Sequence, residues 1–241
     1  MTAVRLTNVH KTYRLDAVEV PALTDVTFTV RRECFTVLSG ASGSGKTTLL
    51  NIIGCVDRAG SGDVQVVGVD VNRLSDNELS DFRARHLGYV FQTFNLLPVL
   101  TAFENVEYPL MIAGLGATER RRRAGELLDA VGLADKARSR PGQLSGGQRQ
   151  RVAIARALAM EPCLVLADEP TANLDSETGR SIIALMRKLQ RERRTSFVFS
   201  SHDPQLLSVA DDIIRIVDGR VVGIERAIER RDVTDGEALA C

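Results

Sequence analysis

What this chain lacks narrows its chemistry before any motif is read. It has no tryptophan and few aromatics of any kind, and its 31 basic and 31 acidic residues cancel to a formal net charge of zero. A neutral balance provides no general pull toward nucleic acid or anionic lipid. No apolar run approaches the roughly 20 residues that span a bilayer. Met1-Thr2-Ala3-Val4-Arg5 carries no signal-peptide core, so any membrane role is expected to go through a partner. The four cysteines, Cys34, Cys55, Cys163 and Cys241, form no CxxC pair. That spacing argues against a metal or disulfide framework and for small buried side chains in a reducing compartment, with Cys241 as a free thiol. Internal repeats are missing too.

What is present is a globular composition, 241 residues with 44% hydrophobic and 26% charged, long enough for a large core. Val4–Val9 and Val26–Val30 alternate as strands do, and Cys34–Leu38 is a continuous apolar run of the buried-strand kind. A helix is expected from Thr48, then strands at Val64–Val67 and Leu87–Phe91. The middle changes texture: Thr101 and Glu104 open one helical stretch, Thr118–Val131 forms another, and Gly132 stops it. Strand signals return at Leu164–Ala167, Ser196–Phe199 and Ile213–Val222, the last folded at Asp218-Gly219 as a hairpin. From about Glu225 the residues are charged and aperiodic.

Two phosphate cradles stand out. Gly40-Ala41-Ser42-Gly43-Ser44-Gly45-Lys46-Thr47 follows a strand and precedes a helix, the context that makes such a loop a nest of backbone N–H groups for phosphates. Thr48 continues it. Lys46 supplies a point charge near the β- and γ-phosphates, and the Thr47 hydroxyl suits Mg²⁺. The second cradle is Leu144-Ser145-Gly146-Gly147-Gln148. Here Ser145 and Gln148 form a capping box around two glycines, leaving bare N–H groups at the positive end of a helix dipole. Two such sites in one domain do not readily grip one nucleotide, which points to a nucleotide shared between two copies of the chain.

Three strands end in polar residues of one chemistry. Asp168 and Glu169 close the run Leu164–Ala167, the first placed to hold Mg²⁺ through its water and the second to act as base on an attacking water. His202 follows Ser196–Ser201 and is expected near the γ-phosphate, since parallel α/β sheets bind ligands at such ends. His10 and His86 have no such context.

Over residues 2 to 224 the chain resembles the nucleotide-binding domain of ABC transporters. Leu144–Gln148 matches the family signature, and Asp168-Glu169 the second Walker motif. Leu50–Arg58 and Phe91–Pro98 are similar to the macrolide-exporter and lipoprotein-releasing branch. The resemblance implies an α/β P-loop NTPase of the ABC ATPase fold, with a mixed core sheet, an antiparallel β lobe and an inserted helical lobe at about 93–160. On that reading residues 1–224 are one ABC ATPase domain and 225–241 a charged tail, partly disordered.

The resemblance further implies that Tyr13 stacks on adenine, that Gln92 of the Q-loop joins Mg²⁺ and the γ-phosphate, that Asp175 belongs to the D-loop, and that His202 is the switch histidine. Two Mg-ATP would sit in a head-to-tail dimer, each between one chain's P-loop and the other's Ser145-Gly146-Gly147-Gln148. The apolar stretch Phe94–Leu100 is either lobe core or the floor of a groove for a membrane permease. The implied function is an ATPase motor for a separately encoded permease of export or lipoprotein-release type, held at the inner face of the membrane by that partner. Two alternatives stay open: a non-transport ATPase regulating a permease-like envelope or division protein, and a soluble ATPase linked to nucleic acid. Against the last, the chain holds one cassette and no coiled-coil heptads.

Overall fold

The computed structural model describes residues 2–15 and 18–227. In chain order the elements are β1 (Thr2–Leu15), β2 (Val18–Arg31), β3 (Phe35–Ser39), α1 (Lys46–Ile53), β4 (Ser61–Val66), β5 (Val69–Asp70), α2 (Asp76–His86), β6 (Leu87–Val90) and α3 (Ala102–Ile112). There follow α4 (Ala117–Ala130), α5 (Gly146–Leu158), β7 (Leu164–Asp168), α6 (Ser176–Arg193), β8 (Ser196–Ser200), α7 (Pro204–Ser208), β9 (Asp212–Val217) and β10 (Arg220–Arg226). They divide into two compact units, one from residues up to Arg73 and from Val198 onward, the other Leu74–Phe197.

In the first unit, β2-β1-β4-β5 form an antiparallel sheet. The alternation expected at Val4–Val9 and Val26–Val30 belongs to far longer strands, since β1 and β2 pair over nearly their whole length and carry each other past the residues whose pattern is clear. A second set of strands runs β10-β9-β3 and on to β8. There β3 lies parallel to β9, with Thr36 opposite Asp212 and Ser39 opposite Arg215. Every residue of β3 is buried, as its continuous apolar run requires. Phe35 packs on Phe199 of β8 with ring centroids 4.2 Å apart. At the β9–β10 turn Asp218 and Gly219 both have positive φ, the backbone of the two-residue hairpin their sequence predicts. β10 runs on to Arg226, past the point where alternation fades, and Glu225 pairs with Arg215 of β9.

The second unit holds the parallel pair β6–β7, with Leu87 opposite Leu164 and Val90 opposite Ala167, and the helices α2 to α6. It is wider than the helical lobe expected at 93–160 because it includes this strand pair. Thr101 and Glu104 make the capping box of α3. Ser75 and Glu78 make another on α2, a helix the apolar pattern does not announce because only Leu79 and Phe82 are buried. In α4, Arg122 and Arg123 pair with Glu119 and draw its carboxyl down to about 2. Among the described cysteines only Cys55 is buried. Cys34 is half-buried, and Cys163, in the turn before β7, is exposed, which corrects the expectation of uniformly buried thiols. Cys241 and the charged tail from 228 onward lie outside the described residues.

One ion pair stands out in the first unit. Arg31, the last residue of β2, donates two hydrogen bonds to Asp212 at 2.9 and 2.7 Å, and Asp212 is only 3% exposed. The pair with Asp212 outweighs burial and raises the Arg31 pKa. Removing the cation strands a buried carboxylate, whereas removing the anion leaves a partly exposed guanidinium that water can solvate. Arg31→Met is therefore expected to destabilise the protein by roughly 3 kcal/mol and Asp212→Asn by roughly half that, read as shifts of the urea midpoint. Equal losses would show that burial of Asp212 does not set the cost.

Candidate nucleotide site

The first unit presents the phosphate loop. β3 empties directly into Gly40, and the loop closes on Gly45, the αL cap of α1 at φ 101°. No acidic residue lies in the first turn of α1 and no side chain caps it, so its N–H groups and dipole are left for an anion. Two glycines are required by packing. A Cβ on Gly40 would overlap the Ile216 carbonyl of β9, and one on Gly45 would lie 2.8 Å from the Ala22 carbonyl. Gly219 of the hairpin turn donates its N–H to the Ser44 carbonyl at 3.0 Å and accepts from Thr24 N–H at 2.9 Å. The hairpin thus holds the loop from behind. Lys46 is buried and donates to the Gly40 and Ala41 carbonyls, both at 2.8 Å. Ser44 Oγ is buried with no hydrogen-bond partner among the described residues. Ser42, Gly43 and Thr47 face solvent.

In the same unit, Ser201 donates its N–H to the Leu38 carbonyl at 3.1 Å. The end of β8 therefore lies against the strand that feeds the phosphate loop, and exposed His202 emerges next. The buried Ser201 hydroxyl accepts from Asp203 N–H at 3.2 Å, fixing the turn. Tyr13 on β1 donates its hydroxyl to Asp57 at 2.8 Å. Asp57 follows α1 and escaped the sequence reading; an acid in a polar turn gives no local signal. His10 accepts from Asp25 N–H and His86 packs on Phe82, consistent with structural roles.

The second unit carries the remaining candidates. The signature opens α5 as expected: Gln148 Oε1 accepts from Ser145 N–H at 2.9 Å, and Ser145 Oγ accepts from Gln148 N–H at 3.2 Å. Its glycines do more than bare the backbone. A Cβ on Gly146 would press on Leu174, and one on Gly147 would lie 2.5 Å from the Thr178 methyl, so α5 approaches the residues on both sides of Asp175. Asp175 itself caps α6, accepting from Glu177 and Thr178 N–H groups. The bond network with Thr178 outweighs desolvation and holds its carboxyl low.

Asp168 and Glu169 stand at the tip of β7, where Glu169 takes the left-handed conformation at φ 42°, uncommon for a non-glycine residue. The turn behind it is pinned by Gln150 of α5, fully buried, which donates to the Pro170 carbonyl at 2.7 Å. Gln92 is exposed, and its carbonyl accepts from Asn173 Nδ2 at 3.0 Å. Beyond it Phe94 and Asn95 are both left-handed. Their carbonyls are held by the Arg156 guanidinium, with the Arg149 guanidinium 4.9 Å from the Phe94 ring. Burial lowers the Arg156 pKa.

The stretch Phe94–Leu100 divides. Phe94 is buried, Leu96 and Leu100 half-buried, and Leu97, Pro98 and Val99 exposed. Asn105, buried in α3, shapes this loop by accepting from Leu97 N–H and donating to the carbonyls of Leu97, Leu100 and Thr101. Alongside, a cavity of about 270 Å³ is lined by Leu87, Tyr89, Phe91, Tyr108, Pro109 and Met160 among others.

Known proteins bear on this geometry. Residues 23–172 match the ABC transporter family. The chain is 51% identical to an uncharacterised ABC transporter ATP-binding protein of Thermotoga maritima, over 92% of this chain and 95% of that one. It is 48% identical to the lipoprotein-releasing system ATP-binding protein LolD of Anaeromyxobacter dehalogenans, over 91% and 92%. With the macrolide export ATP-binding/permease protein MacB of Syntrophobacter fumaroxidans it shares 46% identity over 91% of this chain but 31% of that protein. Among solved structures, the cassette MJ0796, known from Methanocaldococcus jannaschii and described in one structure as a dimer bound to ADP and Pi, superposes with a TM-score of 0.85 at 44% identity, covering 92% of this chain and 98% of that one. The chain belongs to the ABC transporter family and is one of its ATPases.

Proposed function

We propose that this ATPase is the motor subunit of a transporter, hydrolysing two Mg-ATP in a head-to-tail dimer to drive a membrane permease. The observation that carries this reading is the pairing, in one chain, of a phosphate loop built backbone-to-backbone with a second helix start whose glycines are exacted by packing. One loop already surrounds a nucleotide's phosphates, so the signature is free to serve the nucleotide of a second copy. A two-fold dimer gives both sites the same composition. The structure of MJ0796 described as dimeric and bound to ADP and Pi supports this assembly.

The residues fit Mg-ATP. The unpartnered Ser44 hydroxyl, the uncompensated N-terminus of α1 and the buried Lys46 suit the phosphates. Among the described residues no three His, Cys, Asp or Glu side chains converge as a metal cage. Thr47 and Asp168 are single hard-oxygen ligands, matched to an ion that arrives with phosphate oxygens and helps spread their charge. Gln92 is assigned to the same ion. Tyr13 is assigned to the base, Glu169 to accepting the proton of the attacking water, His202 to the γ-phosphate, and Asp175 with the signature to the partner's nucleotide.

The permease is assigned to the second unit's apolar rim. Leu97 and Val99 are 38% and 73% exposed, and Tyr108, Met111 and Ile112 add to them. Exposed apolar groups beside a cavity of this kind mark interaction sites. No helix of the described residues is long and apolar enough to cross a membrane, and the MacB relative is named as an ATP-binding/permease protein. A helix of a separate permease, holding the chain at the inner membrane face, is the occupant we assign.

Three outcomes are expected. Glu169→Gln should keep ATP binding and lose at least about 100-fold in turnover, the usual scale of general-base loss; near-normal ATPase would overturn the assignment. Mixing Lys46→Ala chains with Ser145→Arg chains should restore part of the ATPase, because one of the two sites then carries neither lesion. No recovery in demonstrated mixed dimers would rule out sharing. Leu97→Glu or Val99→Asp should leave basal ATPase intact while abolishing co-purification of the permease; retention of the permease would move the docking site elsewhere.

A further inference from the structure

In one polar cluster of the first unit, around Tyr13, Lys11 and Asp57 have no part in the reaction as described. Asp57 Oδ2 accepts from the Tyr13 hydroxyl at 2.8 Å, and Asp57 Oδ1 accepts from Lys11 Nζ at 2.6 Å and from Arg58 N–H at 2.7 Å. Lys11 donates also to the Arg58 carbonyl at 2.9 Å, and its ammonium lies over the Tyr13 ring 5.0 Å from the centroid. Its side chain is 14% exposed and that of Asp57 29%, so the cluster is more than a solvated surface pair. The turn that carries Asp57 is in turn fixed to α1: the Asn51 carbonyl accepts from both Val56 and Asp57 N–H groups.

We propose that Lys11 and Asp57 are positioning residues that lock the ring of Tyr13 as the adenine platform and set its place relative to the phosphate loop. The inference rests on the assignment of Tyr13 to the base. A free tyrosine rotates about two torsions, and ordering it on binding consumes part of the stacking energy. Here the ring is held at its far end by a carboxylate, while the Lys11 ammonium lies over one face. The anchor is mounted just beyond the C-terminal end of α1, the helix whose first residues, Lys46, Thr47 and Thr48, close the phosphate loop. Tyr13 also meets the Thr48 side chain. Base platform and phosphate cradle are thereby tied to one eight-residue rod, about 12 Å long at 1.5 Å per residue. Burial and Asp57 raise the Tyr13 hydroxyl above its ordinary value. Burial works against the charge of Asp57, but the bonds from Lys11 and Tyr13 outweigh it and hold the carboxyl low, so the anchor stays ionised at neutral pH.

The test measures, on the full chain, affinity for ATP and for inorganic tripolyphosphate, which has no base. Loss of a base–aromatic stack is worth roughly 5- to 150-fold, so Tyr13→Ala should weaken ATP on that scale and leave tripolyphosphate unchanged. Asp57→Asn and Lys11→Met should each weaken ATP by about 3- to 10-fold, a fraction of that stacking loss, again without effect on tripolyphosphate. Tyr13→Phe, which keeps the ring and removes only the anchored hydroxyl, should match Asp57→Asn, and the two together should lose no more than either alone. The proposal fails if Asp57→Asn leaves ATP affinity intact while Tyr13→Ala lowers it, if Asp57→Asn weakens tripolyphosphate equally, or if the Tyr13→Phe and Asp57→Asn losses multiply. If Tyr13→Ala itself leaves ATP affinity unchanged, the assignment of Tyr13 to the base fails first.

Discussion

The close approach of the phosphate loop to the backbone behind it is the constraint on which the first unit depends. Gly40 lies against the Ile216 carbonyl, Gly45 against the Ala22 carbonyl, and a Cβ on Gly219 would lie 2.5 Å from that same Ala22 carbonyl. These contacts leave no room for side chains, and they exchange hydrogen bonds instead, Gly219 to Ser44 and Thr24 to Gly219. A loop that presents N–H groups to an anion has few to spend on its own fold, as Ser44 does on the Ala41 carbonyl at 3.2 Å. Its rigidity therefore has to come from carbonyls and from neighbouring backbone, and the β9–β10 hairpin supplies both.

The second unit solves a similar problem at the start of α5. A helix end that offers its N–H groups outward is held through other atoms: the Ser145–Gln148 box, the contact of Gly146 and Gly147 with Leu174 and Thr178, and the buried bond from Gln150 to Pro170. The last of these reaches the turn that carries Glu169 in its left-handed backbone. The turn before α6 is bound on its other side to Gln92, whose carbonyl accepts from Asn173. The start of α5, the turn before α6, the segment at Gln92 and the acidic strand tip are thus joined by close packing and short polar bonds within one unit.

Much of this was legible in the sequence where the rule is local. The capping boxes at Thr101 and Ser145, the hairpin at Asp218-Gly219 and the strand–loop–helix around Gly40–Lys46 each rest on residues within a few positions of one another, so their chemistry is complete in a short window. The box at Ser75 was equally local but went unread because α2 buries too little to show a period. The divided stretch Phe94–Leu100 was not decidable locally: composition makes it uniformly apolar, while Arg149, Arg156 and Asn105 turn Phe94 inward and leave Leu97 and Val99 out.

The sequence alone determined the phosphate loop, the signature helix start, the acidic strand tip and the family they mark, because each is written in contiguous residues whose backbone preferences act on one another directly. Only the tertiary structure decided what holds them. Asp57 reaches Tyr13 across 44 positions, Asn173 reaches Gln92 across 81, and Arg31 reaches Asp212 across 181. Which donor meets which acceptor over such separations follows from strand register and helix docking, and side chains with no local pattern acquire a role only once those are set.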